Sequence, residues 1–320
     1  PPPVWGRVGG GMISLEGGAR AEPGTVFLTG STGFIGSYVL ESLLAAGYTV
    51  RALVRDQPER LPEREGLTPI NGDLVNCGDL IPSLRGCRYL VHLASVYTLP
   101  GRPQSLIQAV NVEGCAALLE AAHLAGVEKA VVTSSALTVD LAASEQPATE
   151  SDCLIGPLPS GYLGSKVAQE RISLASPLPC VLVLPTTAVG AGSLPPHPTS
   201  ELLLRFLYPH RQRPLLGGIN LVPVEDVASG HLRALERGWP GERYLLGGEN
   251  LSFEELEIRL AEISHRRLPR IRFRRPQMIG AEPPQYVNSA KAASDLGWWP
   301  GPIDPALEKT IECYRSHGLI

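Results

Sequence analysis

Residues 29–36, Thr-Gly-Ser-Thr-Gly-Phe-Ile-Gly, place glycines at every third position. They follow the apolar run Val26-Phe27-Leu28 and precede residues 37–46, where Val39, Leu43 and Leu44 recur at helical spacing. Strand, glycine turn and helix, in that order, is the context in which such a loop cradles a dinucleotide. Gly30 permits the tight turn, Gly33 lets the backbone approach a pyrophosphate, and Gly36 lets helix and strand pack closely. The helix N-terminus then offers unpaired N–H groups and the positive end of its dipole to the phosphates. Thr32, Phe34 and Ile35 share this turn and count with the glycines as cofactor-contact candidates. A glycine triplet also serves plain turns; the flanks are what favour the dinucleotide.

The first half of the chain continues in the same rhythm. Strands are expected at 50–54, 67–70, 89–93, 130–133 and 181–184, with helices at 35–46, 104–125 and 161–175. This alternation predicts an α/β fold, a doubly wound parallel (Rossmann) sheet with helices on both faces. After Pro185 the pattern loosens into a Gly/Pro-rich stretch at 188–198, then short helices at 201–208, 224–237, 253–263, 289–296 and 305–316 and strands at 219–222 and 244–246. The expected organisation is a flexible leader over 1–22, a dinucleotide-binding domain over 23–187, and a region, 188–320, that is mostly a smaller substrate-binding lobe with some returning elements.

Composition removes several classes of function. With 43% hydrophobic and 19% charged residues, the chain can bury a sizeable core and is not of disordered composition. A net charge of -4 leaves no footprint for nucleic acid. No apolar stretch reaches transmembrane length. The cysteines at 77, 87, 115, 153, 180 and 313 form no close pair and no ligand spacing, and the seven histidines form no metal constellation, so reduced thiols, a cytoplasmic location and no metal are expected.

Two groups of residues could carry chemistry. Tyr162 and Lys166 stand at i and i+4, on one face of the expected helix. A lysine ammonium beside a phenol lowers its pKa and makes it a usable acid/base near neutral pH. A surface Tyr/Lys pair is the competing reading. Upstream, Thr133-Ser134-Ser135 closes the fifth strand, and ligands of open α/β sheets sit at the carboxyl ends of strands. A serine hydroxyl there can donate to a substrate carbonyl oxygen as charge develops on it. The alternative is a solvated strand end.

Taken together, the glycine loop, Gly72-Asp73-Leu74, His92-Leu93-Ala94-Ser95, Asn111-Val112-Glu113-Gly114, Thr133-Ser134-Ser135 and the Tyr162/Lys166 pair resemble the extended short-chain dehydrogenase/reductase superfamily, in its NAD-dependent epimerase/dehydratase family. The stretches 220–228 and 241–251 are most similar to the dihydroflavonol-reductase-like branch and to hopanoid-associated sugar epimerase-like proteins. The resemblance implies that Tyr162 is the acid/base, that Lys166 tunes it and binds the nicotinamide ribose, and that Ser135 orients the substrate oxygen. It further implies that Asp73 and Leu74 contact the adenine, Leu93, Ala94 and Ser95 line the path past the phosphates, Asn111 supports the site from its helix, and Pro185 meets the nicotinamide end. Thr133 is counted with the cofactor contacts. It implies, too, a homodimer through helices 104–125 and 161–175. The chain departs from the family pattern at Thr138-Val139-Asp140, at Leu184 and in the short stretch between Arg275 and Ser289; all three bear on the substrate.

NADP(H) is favoured over NAD(H), because Arg55 closes the second strand where a 2′-phosphate would lie, with Arg51 as helper. Asp56, as a partner for the ribose hydroxyl, is the competing reading. The arginines 266, 267, 270, 272, 274 and 275 read as a solvated edge, Trp298-Trp299 as packing for the C-terminal helix, and His92 as a satisfied structural histidine. The expected activity is reduction of a small-molecule carbonyl by NADPH at a Ser-Tyr-Lys site. The alternatives are a nucleotide-sugar epimerase or dehydratase holding NAD(P) tightly, and a non-catalytic dinucleotide sensor.

Overall fold

The computed structural model describes residues 4–8, 11–15, 23–55, 61–75, 80–97, 103–141, 146–152, 160–195, 197–207, 217–265 and 284–320. Its first half runs β1 (Val4–Val8), β2 (Gly11–Leu15), β3 (Thr25–Thr29), α1 (Phe34–Ala45), β4 (Thr49–Val54), β5 (Leu67–Asn71), α2 (Ile81–Leu84), β6 (Tyr89–His92), α3 (Gln104–Ile107), α4 (Cys115–Leu124), β7 (Lys129–Thr133) and α5 (Gly161–Ala175). The second half runs β8 (Cys180–Pro185), β9 (Thr187–Val189), α6 (Pro198–Leu207), β10 (Gly218–Pro223), α7 (Val224–Arg237), β11 (Arg243–Leu246), β12 (Glu249–Ser252), α8 (Phe253–Ser264), α9 (Ala290–Leu296) and α10 (Asp304–Ser316).

Seven strands form one parallel sheet in the order β11-β8-β7-β6-β3-β4-β5. Its strands are apolar on both sides, as a sheet covered on both faces requires. Val26 and Leu28 enter one core with α1, α7 and α9, while Phe27 between them enters the other with α2 and α4. Chain order reverses between β3 and β6. That topological switch point, outside the carboxyl ends of the strands, is where open α/β sheets bind ligands. A second, three-stranded sheet, β12-β10-β9, packs with α6, α8 and α10 around its own core of Leu203, Leu221, Leu256, Leu307 and Tyr314.

Of the elements after Pro185, expected to lie mostly in the smaller lobe with some returning, β11 returns to the large sheet, pairing parallel with β8, and α7 packs against α1. Within the expected leader, β1 and β2 pair antiparallel; Val4, Trp5, Val8 and Ile13 supply the β-branched and aromatic residues that favour strands. The helix expected over 104–125 is one rod with a π-helical segment at Gln108–Gly114 between α3 and α4. A Cβ on Gly114 would come within 3.2 Å of Leu74 and of Ala109 O, so this widened turn is pressed against the β5 loop. The arginine cluster at 266–275, Asp56, Cys77 and Cys153 lie outside the described residues. Trp298 is buried and donates from its indole to Asp226 O at 2.8 Å, whereas Trp299 is exposed.

Candidate active site

The glycine loop joins β3 to α1. Gly30 has φ +78°, a conformation that favours glycine, and a Cβ there would meet Ala94 N at 2.7 Å. A Cβ on Gly36 would lie 1.9 Å from Gly30 O. The loop, the start of α1 and the turn after β6 are therefore packed backbone to backbone. Among the described residues no side chain caps α1, which leaves its first N–H groups open. Ser31 Oγ beside them is buried with no partner among the described residues. These open donors fit a pyrophosphate. A groove of about 510 Å³ bordered by Ser31, Thr32, Tyr38 and Glu41 runs alongside.

The remaining expected residues gather at the same edge of the sheet. Arg55, exposed, follows β4; Asp73 and Leu74 follow β5, with Asp73 Oδ1 accepting from Val75 N at 3.1 Å. Leu93, Ala94 and Ser95 follow β6, and Ala94 N donates to Thr29 Oγ1 at 3.2 Å. Pro185 ends β8. Thr133 differs in detail: its hydroxyl is hydrogen-bonded to His231 Nε2 at 2.8 Å, toward α7, and its carbonyl accepts from Lys166 Nζ at 2.9 Å. His92 is fully buried and bonded to Thr29 Oγ1 at 2.7 Å through Nδ1, yet its Nε2 has no partner among the described residues, so it is only half satisfied. Burial lowers its pKa to about 3.

Ser135 and Tyr162 meet across a cavity of about 180 Å³. Ser135 begins a 3₁₀ turn, Ala136–Thr138, and its Oγ accepts from Leu137 N at 3.2 Å. Tyr162 lies in the first turn of α5, one turn before Lys166. Burial pushes its phenol well above the ordinary value; the stacked, hydrogen-bonded Tyr97 pushes the same way, and the hydroxyls of Ser135 and Ser95 only partly offset this. The expectation that Lys166 would depress this pKa is not met. Its Nζ, 5.7 Å from the Tyr162 ring centroid, is held by Thr133 O and Gln169 Oε1, each at 2.9 Å. Burial lowers the pKa of Lys166 itself to about 8.

The loop bearing Tyr97 is tied to the helix bearing Tyr162. Asn111, at the centre of the π segment, accepts from Val96 N at 2.7 Å and donates to Val96 O at 3.0 Å and Ser165 Oγ at 2.9 Å. Ser165 Oγ in turn donates to Tyr162 O at 2.7 Å.

Residues 26–247 match the NAD dependent epimerase/dehydratase family. The chain belongs to this family. It is accordingly an NAD(P)-dependent enzyme of the extended short-chain dehydrogenase type. Its relatives include a protein of Synechocystis named "Putative dihydroflavonol 4-reductase", 32% identical over 92% of this chain and 95% of that one. The crystal structure of gox2253 superposes with a TM-score of 0.80 at 31% identity, over 92% of this chain and 99% of that one. The UDP-glucose 4-epimerase of Thermotoga maritima, solved with UDP-glucose, shares the fold at 22% identity with a TM-score of 0.74, over 92% and 99% of the two chains.

Sequence reasoning within this epimerase/dehydratase member missed several neighbours of the site. Tyr97 follows the strand-end run at 92–95 and could have been flagged by position alone. His197 lines the cavity from the start of α6. Glu170, one turn beyond Lys166, is buried: Ser134 Oγ and Thr138 Oγ1 both donate to its Oε1, and Arg243 Nε lies 3.0 Å from its Oε2. A carboxylate in a mostly polar helix carries no sequence signal that it is buried.

Proposed function

We propose that this enzyme reduces a carbonyl compound with NADPH. The observation that carries the reading is geometric: the Tyr162 phenol and Ser135 line one cavity that no described lysine or arginine borders, and burial favours the protonated form of that phenol. A reductase needs a proton donor at the carbonyl oxygen. An epimerase acting on a sugar hydroxyl must begin by removing a proton, which calls for a phenolate. The reduced nicotinamide, when bound, supplies a hydride to the carbonyl carbon. Tyr162 gives its proton to the carbonyl oxygen, and Ser135 Oγ donates a hydrogen bond to the same oxygen as charge builds there. Lys166, a cation anchored on the Thr133 carbonyl, adds positive potential behind the phenol. None of the described residues lining the cavity is a lysine or arginine to grip a nucleoside diphosphate, which also favours a neutral substrate.

The open N–H groups of α1, together with Ser31 and Thr32, would hold the pyrophosphate, and Arg55 would pair with the 2′-phosphate of NADPH. The test has two arms. NADPH consumption with ketones and aldehydes, lost in Tyr162→Phe, supports the reductase; turnover of a nucleotide sugar without net redox change overturns it. For the cofactor, Arg55→Ala is expected to weaken NADPH at least about ten-fold while leaving NADH unchanged, in line with loss of a charge-assisted contact. NADPH affinity equal in both proteins would remove the assignment.

A further inference from the structure

Lys166 is buried, and its ammonium is held by neutral oxygens. Nζ donates to Thr133 O at the end of β7 and to Gln169 Oε1, each at 2.9 Å. The one carboxylate of α5, Glu170, is taken up by Ser134, Thr138 and Arg243. The other titratable groups beside the ammonium are uncharged at neutral pH. Burial keeps His92 of β6 deprotonated, and it keeps the Cys115 thiol of α4 and the Tyr162 phenol protonated. An ion pair would ease the cost of burying this charge. Without one, burial lowers the pKa of Lys166 to about 8, against smaller opposing effects of Cys115 and Glu170.

Gln169 lies one turn beyond Lys166 on the same face of α5 and is 1% exposed. An ammonium has only donors, so the amide must turn its oxygen to Nζ. That orientation leaves Gln169 Nε2 buried with no hydrogen-bond partner among the described residues. The Cys115 thiol beside it is a weak acceptor. A buried amide satisfied at one end costs free energy that an apolar side chain of the same length would avoid. What the amide supplies and an apolar chain cannot is the oxygen on Lys166.

We propose that Gln169 is a positioning residue for the carbonyl reduction: its amide oxygen holds the Lys166 ammonium on the Thr133 carbonyl without cancelling its charge, so that the positive potential stands undiminished behind Tyr162. The proposal rests on the reductase reading for the moment at which that potential is needed. As Tyr162 gives its proton to the carbonyl oxygen, negative charge grows on the phenol, and a fixed cation 5.7 Å from the ring centroid stabilises it. A carboxylate in place of the amide would hold the ammonium equally well but would oppose that charge. An apolar residue would leave the ammonium on Thr133 O alone.

The experiment compares wild type with Gln169→Met, which keeps the chain length and removes the acceptor, and Gln169→Glu, which keeps the acceptor and adds a charge. The first readout is the titration of Lys166, followed through the NMR signal of its Cε carbon and identified by its loss in Lys166→Met. Wild type should titrate near about 8. Gln169→Met should titrate lower, and Gln169→Glu higher by at least about one pH unit. The same midpoint in all three proteins overturns the proposal. If Gln169→Met does not fold, equal midpoints in wild type and Gln169→Glu overturn it.

The second readout is NADPH oxidation with cyclohexanone. Gln169→Met should lower kcat at least about ten-fold with little change in KM, as expected for loss of a hydrogen bond to a charged group. Its activity should fall off at lower pH on the alkaline side. Gln169→Glu should also lower kcat, yet hold its activity to higher pH. These opposite displacements are what loosened packing alone would not produce. Wild-type kcat in either variant, or alkaline limbs that coincide, overturns the proposal. If wild type does not oxidise NADPH with cyclohexanone, the reductase reading fails for this ketone, and the Lys166 titration still decides whether Gln169 holds the ammonium.

Discussion

The ring of Tyr97 lies on that of Tyr162, with centroids 4.4 Å apart and planes 18° from parallel. Asn111 grips the backbone before Tyr97, and Ser165 links that grip to the backbone of Tyr162, so the stack is set by backbone clamps from the π segment and α5. Burial first, and the stacked Tyr97 after it, raise the pKa of the Tyr162 phenol well above 10.0. In a phenolate absorbance titration, the difference between wild type and Tyr162→Phe should show no transition up to that value. In Tyr97→Ala, where water replaces the ring, the Tyr162 transition should move back down toward it. A wild-type transition at or below the ordinary phenol value would contradict the burial argument.

Lys166 links pH to stability with a definite sign. Its pKa falls from 10.5 to about 8 on folding. Between those values the unfolded chain binds more protons than the folded one, so this residue makes stability rise with pH across that window. The contribution is complete above 10.5, is lost as pH falls toward about 8, and changes no further below it. At roughly 1.4 kcal/mol per unit, the effect is on the order of 3 kcal/mol. Urea unfolding at the two ends of the window should show a smaller gain with pH in Lys166→Met than in wild type; equal gains would place the ammonium in contact with water.

What the chain reveals before folding is mostly local. Gly30, Gly36 and the apolar periods around them are sequence neighbours, and the loop they form is the loop observed. The helix bearing Tyr162 and Lys166 was legible for the same reason. The i, i+4 spacing put both side chains on one face but could not say what Lys166 Nζ would bind, and the Thr133 carbonyl and Gln169 took it. The place of β11 was equally hidden: three apolar residues, Tyr244, Leu245 and Leu246, announce a strand without naming its partner. Tyr97 and His197 come to the site through packing between distant elements, and no periodicity encodes that; Glu170 shares the helix face of Tyr162 and Lys166, but its partner Arg243 comes from β11.

Glu170 and Arg243 form an ion pair in a mostly buried setting, with side chains 9% and 13% exposed. The pair holds the turn that carries Ser135: Glu170 accepts from Ser134 and Thr138, and Arg243 donates to Glu150 O at 2.9 Å. Removing one partner strands the other charge, so Arg243→Met should cost about 3–5 kcal/mol in urea unfolding. The double variant Glu170→Gln/Arg243→Met should lose clearly less than the two single losses added together. Additive losses would show that the two groups do not act as a pair.

Gly36 offers the most direct test of the loop. A methyl group there would sit 1.9 Å from Gly30 O, against backbone that cannot turn aside as a long side chain can. Gly36→Ala must therefore push α1 away from the loop. Overpacking of this kind typically costs about 1–3 kcal/mol. The same displacement moves the open N–H groups at the start of α1, so dinucleotide affinity should fall together with stability. Thermal melting with and without NADPH separates the two effects. Wild type should gain Tm on adding NADPH, and Gly36→Ala should melt lower and gain little. A variant that melts lower but keeps the full NADPH-induced gain would mean that the pyrophosphate is held elsewhere.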